Sequence, residues 1–186
     1  MNRCGWCNLK NQEYVNYHDN EFGRPNFDDK YLFEMLILES FQAGLSWECV
    51  LNKRKNFEKA YDNFDIDKII TYDENKINEL LLNKGIIRNK LKIVASINNA
   101  RIFKEIQQNY GNFYNYLKQF TKDKTIYELG KTTNKLSDTL SKDLQQKGMK
   151  FVGSTIIYSY LQAIGVIYSH DKNCFLYKGN NKNQKN

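Results

Sequence analysis

Proline occurs once in this chain and glycine ten times in 186 residues, a usage that excludes collagen-like repeats and long low-complexity stretches. No apolar run approaches the ~20 residues of a membrane-spanning helix. The start, Met1-Asn2-Arg3-Cys4, lacks the hydrophobic region of a secretory signal. The expectation is a cytoplasmic protein with no membrane contact. Period-two alternation, the mark of half-buried strands, is nearly absent, so the expected fold class is all-α. Cysteine is limited to Cys4, Cys7, Cys49 and Cys174. Reduced cytoplasmic thiols argue against a disulfide framework and leave metal binding or plain burial. Histidine is scarcer still, with only His18 and His170.

Against these absences stand 41% hydrophobic and 26% charged residues, ordinary for a soluble domain. The chain is long enough to bury a core as one domain or two closely joined lobes. Lys and Arg outnumber Asp and Glu by 28 to 21, a net charge of +7. A basic surface attracts polyanions and makes nucleic acid a reasonable partner, although a general lysine bias produces the same sum. Aromatic residues make up 14% of the chain, either as core or as faces on which bases stack.

Helical periodicity dominates. From a cap at Asp28, the segment to about Phe41 carries Leu32, Met35, Leu36 and Glu39 at helical spacing. Gly44-Leu45-Ser46 interrupts it, and Ser46 can cap the next helix. Phe57, Ala60, Tyr61 and Phe64 follow an i, i+3, i+4, i+7 pattern, and Thr71 with Glu74 has capping-box spacing ahead of Ile77, Leu80 and Leu81. Ile93, Val94, Ile97 and Ala100 mark one face of a long helix ending near Gly111, and Phe113, Tyr116, Leu117 and Phe120 mark a shorter one. Thr121 to Lys135 reads as a polar loop with one turn of helix at most. Leu140 and Leu144 precede a stop at Gly148, and Ile157, Tyr160, Leu161 and Ile164 mark a last buried helix stopped by Gly165. The domain is expected to run from 1 to 179, followed by a disordered basic tail over 180–186.

Each histidine lies near a cysteine: Cys4 precedes His18, and His170 to Cys174 has H-x3-C spacing. Two thiolates and two imidazoles are a tetrahedral set that suits zinc, and a site drawing on both chain ends would be structural. Spacing alone leaves open that these residues are unrelated. Cys4-Gly5-Trp6-Cys7 also has redox-pair spacing, but such pairs usually follow a strand in a βαβ unit.

Ile77 to Ile97 reads as helix, tight basic hairpin, helix. Hairpin amides and the start of the second helix can bind a phosphate without reading sequence, with charge from Lys84, Arg88 and Lys90 beside Gly85. Any two helices also need a connector. Near the N-terminus, Trp6, Tyr14, Tyr17 and Phe22, with Trp47 further on, make a dense aromatic group. Glu39 shares a helix face with Met35. It is either an exposed residue at the edge of the core stripe or a buried carboxyl with a purpose. A carboxyl walled by aromatic rings suits an electron-poor, positively charged alkylated purine, which the rings stack on and the carboxylate hydrogen-bonds.

Several of these stretches together resemble one family, the DNA-3-methyladenine glycosylase I enzymes. They are Arg3-Cys4-Gly5-Trp6, Tyr17-His18-Asp19-Asn20-Glu21, Leu32-Phe33-Glu34-Met35 with Leu38-Glu39, and Gln42-Ala43-Gly44-Leu45-Ser46-Trp47. They continue through Gly85-Ile86-Ile87-Arg88 with Lys90 to Lys92, Lys150-Phe151-Val152-Gly153-Ser154-Thr155-Ile156, Tyr158-Ser159, Gln162-Ala163 and His170. Each motif is weak alone; the ordered set, from residue 1 to about 179, is very specific.

The resemblance implies a helix-hairpin-helix glycosylase that extrudes 3-methyladenine from alkylated duplex DNA and hydrolyses its N-glycosidic bond, leaving an abasic site. It implies zinc held by Cys4, His18, His170 and Cys174. Glu39 would hydrogen-bond the extruded base, with Trp6, Tyr17 and Trp47 stacking around it and Tyr14 nearby. Gln42 and Leu45, next to Gly44, would probe the gap in the duplex, and the hairpin around Gly85 would hold the backbone. The implied enzyme is monofunctional and lacks the aspartate that assists the attacking water in relatives; a monomer suffices for one lesion in one pocket. Three departures stand out. Phe22 replaces a usual tryptophan, Cys7 is an extra thiol able to compete with Cys4, and Ile87 stands where a second hairpin glycine is common. The rival readings are a non-catalytic zinc-stapled DNA-binding module and a glycosylase of different specificity, such as one accepting 7-methylguanine.

Overall fold

The computed structural model describes residues 1–178 and is mostly helical; the expected tail over 180–186 lies outside the described residues. At its centre runs α2 (Asp29–Gln42), which begins where Asp28 accepts hydrogen bonds from the amides of Lys30 and Tyr31. Every residue from Met35 to Phe41 is buried, so this helix is apolar on nearly all sides and must be enclosed. The enclosing helices are α3 (Trp47–Leu51), α7 (Lys90–Tyr110), α8 (Phe113–Thr121) and α10 (Ser154–Ala163). The 21 residues of α7 span about 31 Å. Their buried face, Ile93, Ile97, Ala100 and Phe103, packs against α2, while Val94, expected on that face, is 44% exposed.

The remaining helices are α1 (Gln12–Asn20), α4 (Arg54–Ala60), α5 (Ile66–Ile69), α6 (Glu74–Leu82) and α9 (Lys135–Gln146). Three local expectations are corrected. The Phe57–Phe64 pattern does not mark one continuous helix: α4 stops at Ala60, and Asp62, Asn63 and Phe64 turn through left-handed backbone. All four patterned residues are nonetheless buried, so the periodicity foretold burial and not continuity. The cap of α6 is Asp73, which accepts from the Lys76 amide, while the Thr71 hydroxyl donates to the Lys68 carbonyl. Residues 122–134 hold no helical turn. They contain β1 (Ile126–Tyr127), paired in parallel with β2 (Ile167–Tyr168), a small exception to the all-α expectation.

The turn into β2 carries one glycine that cannot be replaced without movement. Gly165 has φ +78°, and a Cβ there would lie 2.3 Å from the Arg24 carbonyl carbon and the Pro25 nitrogen. That close approach sets the C-terminal segment beside residues 22–25. The Phe175 amide then donates to the Asn2 carbonyl at 2.9 Å, so the end of the described chain is laid against its beginning.

Candidate functional site

One cavity, of about 190 Å³, is lined by Trp6, Tyr14, Tyr17, Phe22, Glu39, Gln42, Trp47, Ser159 and Gln162. An apolar cavity of about 150 Å³ holds a single benzene ring, so the space suits a small planar ring system. The first helix supplies Tyr14 and Tyr17, three residues apart and therefore on one face. Phe22 follows directly, its amide bonded to the Tyr17 carbonyl at 2.9 Å. Ser46 caps α3 by accepting from the Cys49 amide, which places Trp47 at the helix start. The rings close on one another: Trp6 lies 4.8 Å from Phe22 and 5.5 Å from Tyr14, and Tyr17 lies 5.3 Å from Trp47, between centroids.

Glu39 comes from α2. It is 3% exposed, so the reading of an exposed edge residue is excluded. Burial alone pushes its carboxyl up to about 8. Its Oε2 has no hydrogen-bond partner, and neither has the buried Trp47 Nε1. Leaving a buried polar atom unpaired costs about 1–3 kcal/mol, so two such atoms at one cavity point to groups reserved for a ligand. Ser159 and Gln162, from α10, also line it. They lie within stretches that carried the family resemblance, but no chemistry of their own marked them.

Beside the cavity the two ends of the described chain meet in a second constellation. The side chains of Cys4, His18, His170 and Cys174 are all buried, with one ligand atom of each within 4.8 Å of the others. Cys4 Sγ lies 3.4 Å from His170 Nδ1, and Cys174 Sγ lies 3.4 Å from His18 Nε2 and 3.7 Å from His170 Nδ1. Around zinc, bonds of about 2.3 Å to sulfur and about 2.0 Å to nitrogen put tetrahedral S and N ligands about 3.5 Å apart. The donor set therefore fits such an ion. The outer atoms are tied as metal ligands usually are: His18 Nδ1 to Asp19 at 2.7 Å and His170 Nε2 to the Phe22 carbonyl at 3.1 Å. Main-chain amides of Asp171 and Leu176 reach the sulfurs of Cys4 and Cys174. Cys7, the possible competitor, is turned away: its Sγ points to the Tyr14 carbonyl at 3.8 Å and is outside the group of four.

The residues expected to meet a polyanion lie at two loops. Ala43-Gly44-Leu45 follows α2, with Gly44 at φ +79° and Leu45 40% exposed. Gln42 Nε2 donates to the Leu45 carbonyl at 3.2 Å, holding this loop shut, and Gln42 also lines the cavity. The hairpin between α6 and α7 exposes Lys84, Arg88 and Lys90. The Gly85 amide donates to Asn83 Oδ1 at 2.8 Å, a bond that shapes the hairpin from within. A Cβ at Gly85 would meet Asn56 at 3.1 Å, so the glycine serves close packing. Lys90 pairs with Glu74, and Lys53, not anticipated, donates to the Lys84 carbonyl.

This arrangement of helices matches solved 3-methyladenine DNA glycosylase I structures. One is 40% identical, with a TM-score of 0.90 over 95% of this chain and 100% of that one. Another, from Staphylococcus aureus and described by its 3-methyladenine recognition, is 34% identical with a TM-score of 0.88 over 94% and 95%. The Escherichia coli (strain K12) DNA-3-methyladenine glycosylase 1 is 43% identical, spanning 97% of this chain and 99% of its own. The methyladenine glycosylase family model matches residues 6–177, and the chain belongs to that family. No helix among the described residues is long and apolar enough to cross a membrane.

Proposed function

We propose that this protein is a DNA glycosylase that hydrolyses the bond between 3-methyladenine and its deoxyribose in duplex DNA. The observation that carries the reading is Glu39: a buried carboxyl with an unpaired oxygen, at a cavity walled by aromatic rings. Methylation at N3 makes the nucleobase cationic, so it leaves readily. The bond from C1′ breaks with its electron pair going to the base, a water adds to C1′, and the water's proton passes to solvent. The chain's own work is extrusion, for a few kcal/mol of unstacking, and recognition. Trp6, Tyr17 and Trp47 stack on the cation, and Glu39 accepts from its polar edge as a recognition group rather than a proton shuttle. Phe22 keeps the wall apolar without an indole donor.

The remaining parts follow from this reading. Leu45, raised on its loop beside Gln42, fills the gap left in the stack. Lys84, Arg88 and Lys90 at the helix-hairpin-helix unit hold the phosphates without reading bases. Cys4, His18, His170 and Cys174 hold a structural zinc that joins the chain ends and takes no part in the reaction. A monomer acting in the cytoplasm completes the proposal. The test is base release from methylated duplex DNA, with freed bases separated chromatographically. Selective release of 3-methyladenine is expected. Folded, metal-loaded protein that binds DNA and frees no base overturns the reading, and preferential release of 7-methylguanine overturns its specificity.

A further inference from the structure

Lys92 is the third residue of α7, where a lysine would ordinarily reach solvent. Instead it is 8% exposed, and burial lowers its pKa. Its Nζ donates to the carbonyls of Phe41 at 2.8 Å and Ala43 at 2.5 Å. These belong to the last turn and cap of α2, where carbonyls lack onward helical partners and a cation is favoured by the helix dipole. The second helix has no basic residue of its own in that turn. On another side the ammonium faces the Phe151 ring, 5.9 Å from its centroid. Burying a charge is costly unless it is well bonded, and an apolar side chain would fill the same space more simply.

What the ammonium holds is the root of the loop that carries Leu45. Ala43 is the cap of α2, Gly44 turns at φ +79°, and the Leu45 amide and carbonyl both close back onto Gln42. Glu39 lies one turn before Ala43 on the same helix. The backbone of Lys92, three residues after the cap Asn89, lies at the start of α7, directly after the basic hairpin. One buried lysine thus joins the loop proposed to enter the duplex to the helix proposed to grip its backbone.

We propose that Lys92 is a positioning residue for base extrusion, pinning the Gln42–Leu45 loop to the start of α7 so that loop and hairpin meet the duplex as one unit. This rests on the glycosylase reading above. The test compares Lys92→Met with wild type on two methylated duplexes, one with every adenine paired and one with every adenine facing a mismatch. Mismatched lesions need little work to extrude, so the variant's loss should be about 10-fold or more on paired sites, the cost of ångström-scale misplacement, and much smaller on mismatched ones. A fold merely weakened by the substitution would lose release equally on both. Equal losses, or no loss, overturn the proposal. Wild type that frees no 3-methyladenine overturns the glycosylase reading instead. If Lys92→Met fails to fold, Lys92→Arg keeps the charge but moves the donors, and the same ratio decides.

Discussion

Two buried polar constellations lie side by side in this protein, and they differ in how completely their atoms are satisfied. Adjacent residues of α1 separate them: Tyr17 lines the cavity and His18 joins the cysteine–histidine group. In that group the ring nitrogens facing away from the centre are bonded, to Asp19 and to the Phe22 carbonyl, and both sulfurs accept main-chain amides. In the cavity, Glu39 Oε2 and Trp47 Nε1 are buried with nothing to bond. The first is the pattern of a site built around a permanent guest, the second of a site kept ready for a transient one. Trp6 packs on both, 5.2 Å from the His18 ring and 4.8 Å from Phe22, so the permanent site braces a wall of the transient one.

The largest expected effect breaks the permanent side. Stripping the proposed zinc with a chelator, or changing Cys174→Ser, should lower the melting temperature by more than ~10 °C, since a structural zinc contributes folding energy directly. Base release should fall with it, because Trp6 and Phe22 lose their backing. Metal analysis and thermal unfolding check this together. A chelated protein that melts and turns over as before would show that the four side chains are not a staple.

The transient side should respond in the opposite sense. Glu39→Gln is expected to cut 3-methyladenine release by about 10- to 100-fold, the worth of a hydrogen bond involving a charged group, ~1.5–3 kcal/mol. The same substitution should raise stability, and the pH dependence identifies why. The folded carboxyl is held at about 8 against an ordinary value of 4.5. Between those values the folded protein keeps a proton that the unfolded chain has released, so stability falls as pH rises through the window. Glutamine has no proton to lose. The variant's advantage, about 1–2 kcal/mol, should be greatest near pH 8 and vanish near pH 4. Denaturant unfolding across that range decides it, and a pH-independent difference would place the cause elsewhere.

How far the two regions were legible follows from the side chains that build them. The central helix was readable because Asp28 caps a dense apolar run, and its enclosure put Glu39 inside. The aromatic group was visible as composition, and family resemblance tied those rings to Glu39. The first helix shows no clear apolar stripe in the sequence because it buries Tyr14, Tyr17 and His18, residues whose polar atoms obscure one; only the Asn11 cap announces it. The β1–β2 pair joins segments far apart in the chain, two residues each, too short for alternation to register. Lys92 was hidden for a physical reason: a lysine reads as solvent-facing until a partner helix brings two carbonyls to it.

The smallest expected effect sharpens the boundary between the two regions. Cys7 is buried within the N-terminal segment that supplies Cys4 and Trp6, and burial pushes its thiol up. Its sulfur nevertheless points to the Tyr14 carbonyl at 3.8 Å, on α1, rather than into the group of four. A buried, protonated thiol that packs as a small apolar group is inert. Cys7→Ser should therefore leave one metal per chain and unchanged base release, with a stability change below ~1 kcal/mol. Metal stoichiometry beside a melting curve reads both. If the substitution halves the metal content, Cys7 shares the site with Cys4, and the permanent site is then less fixed than its bonded outer atoms indicate.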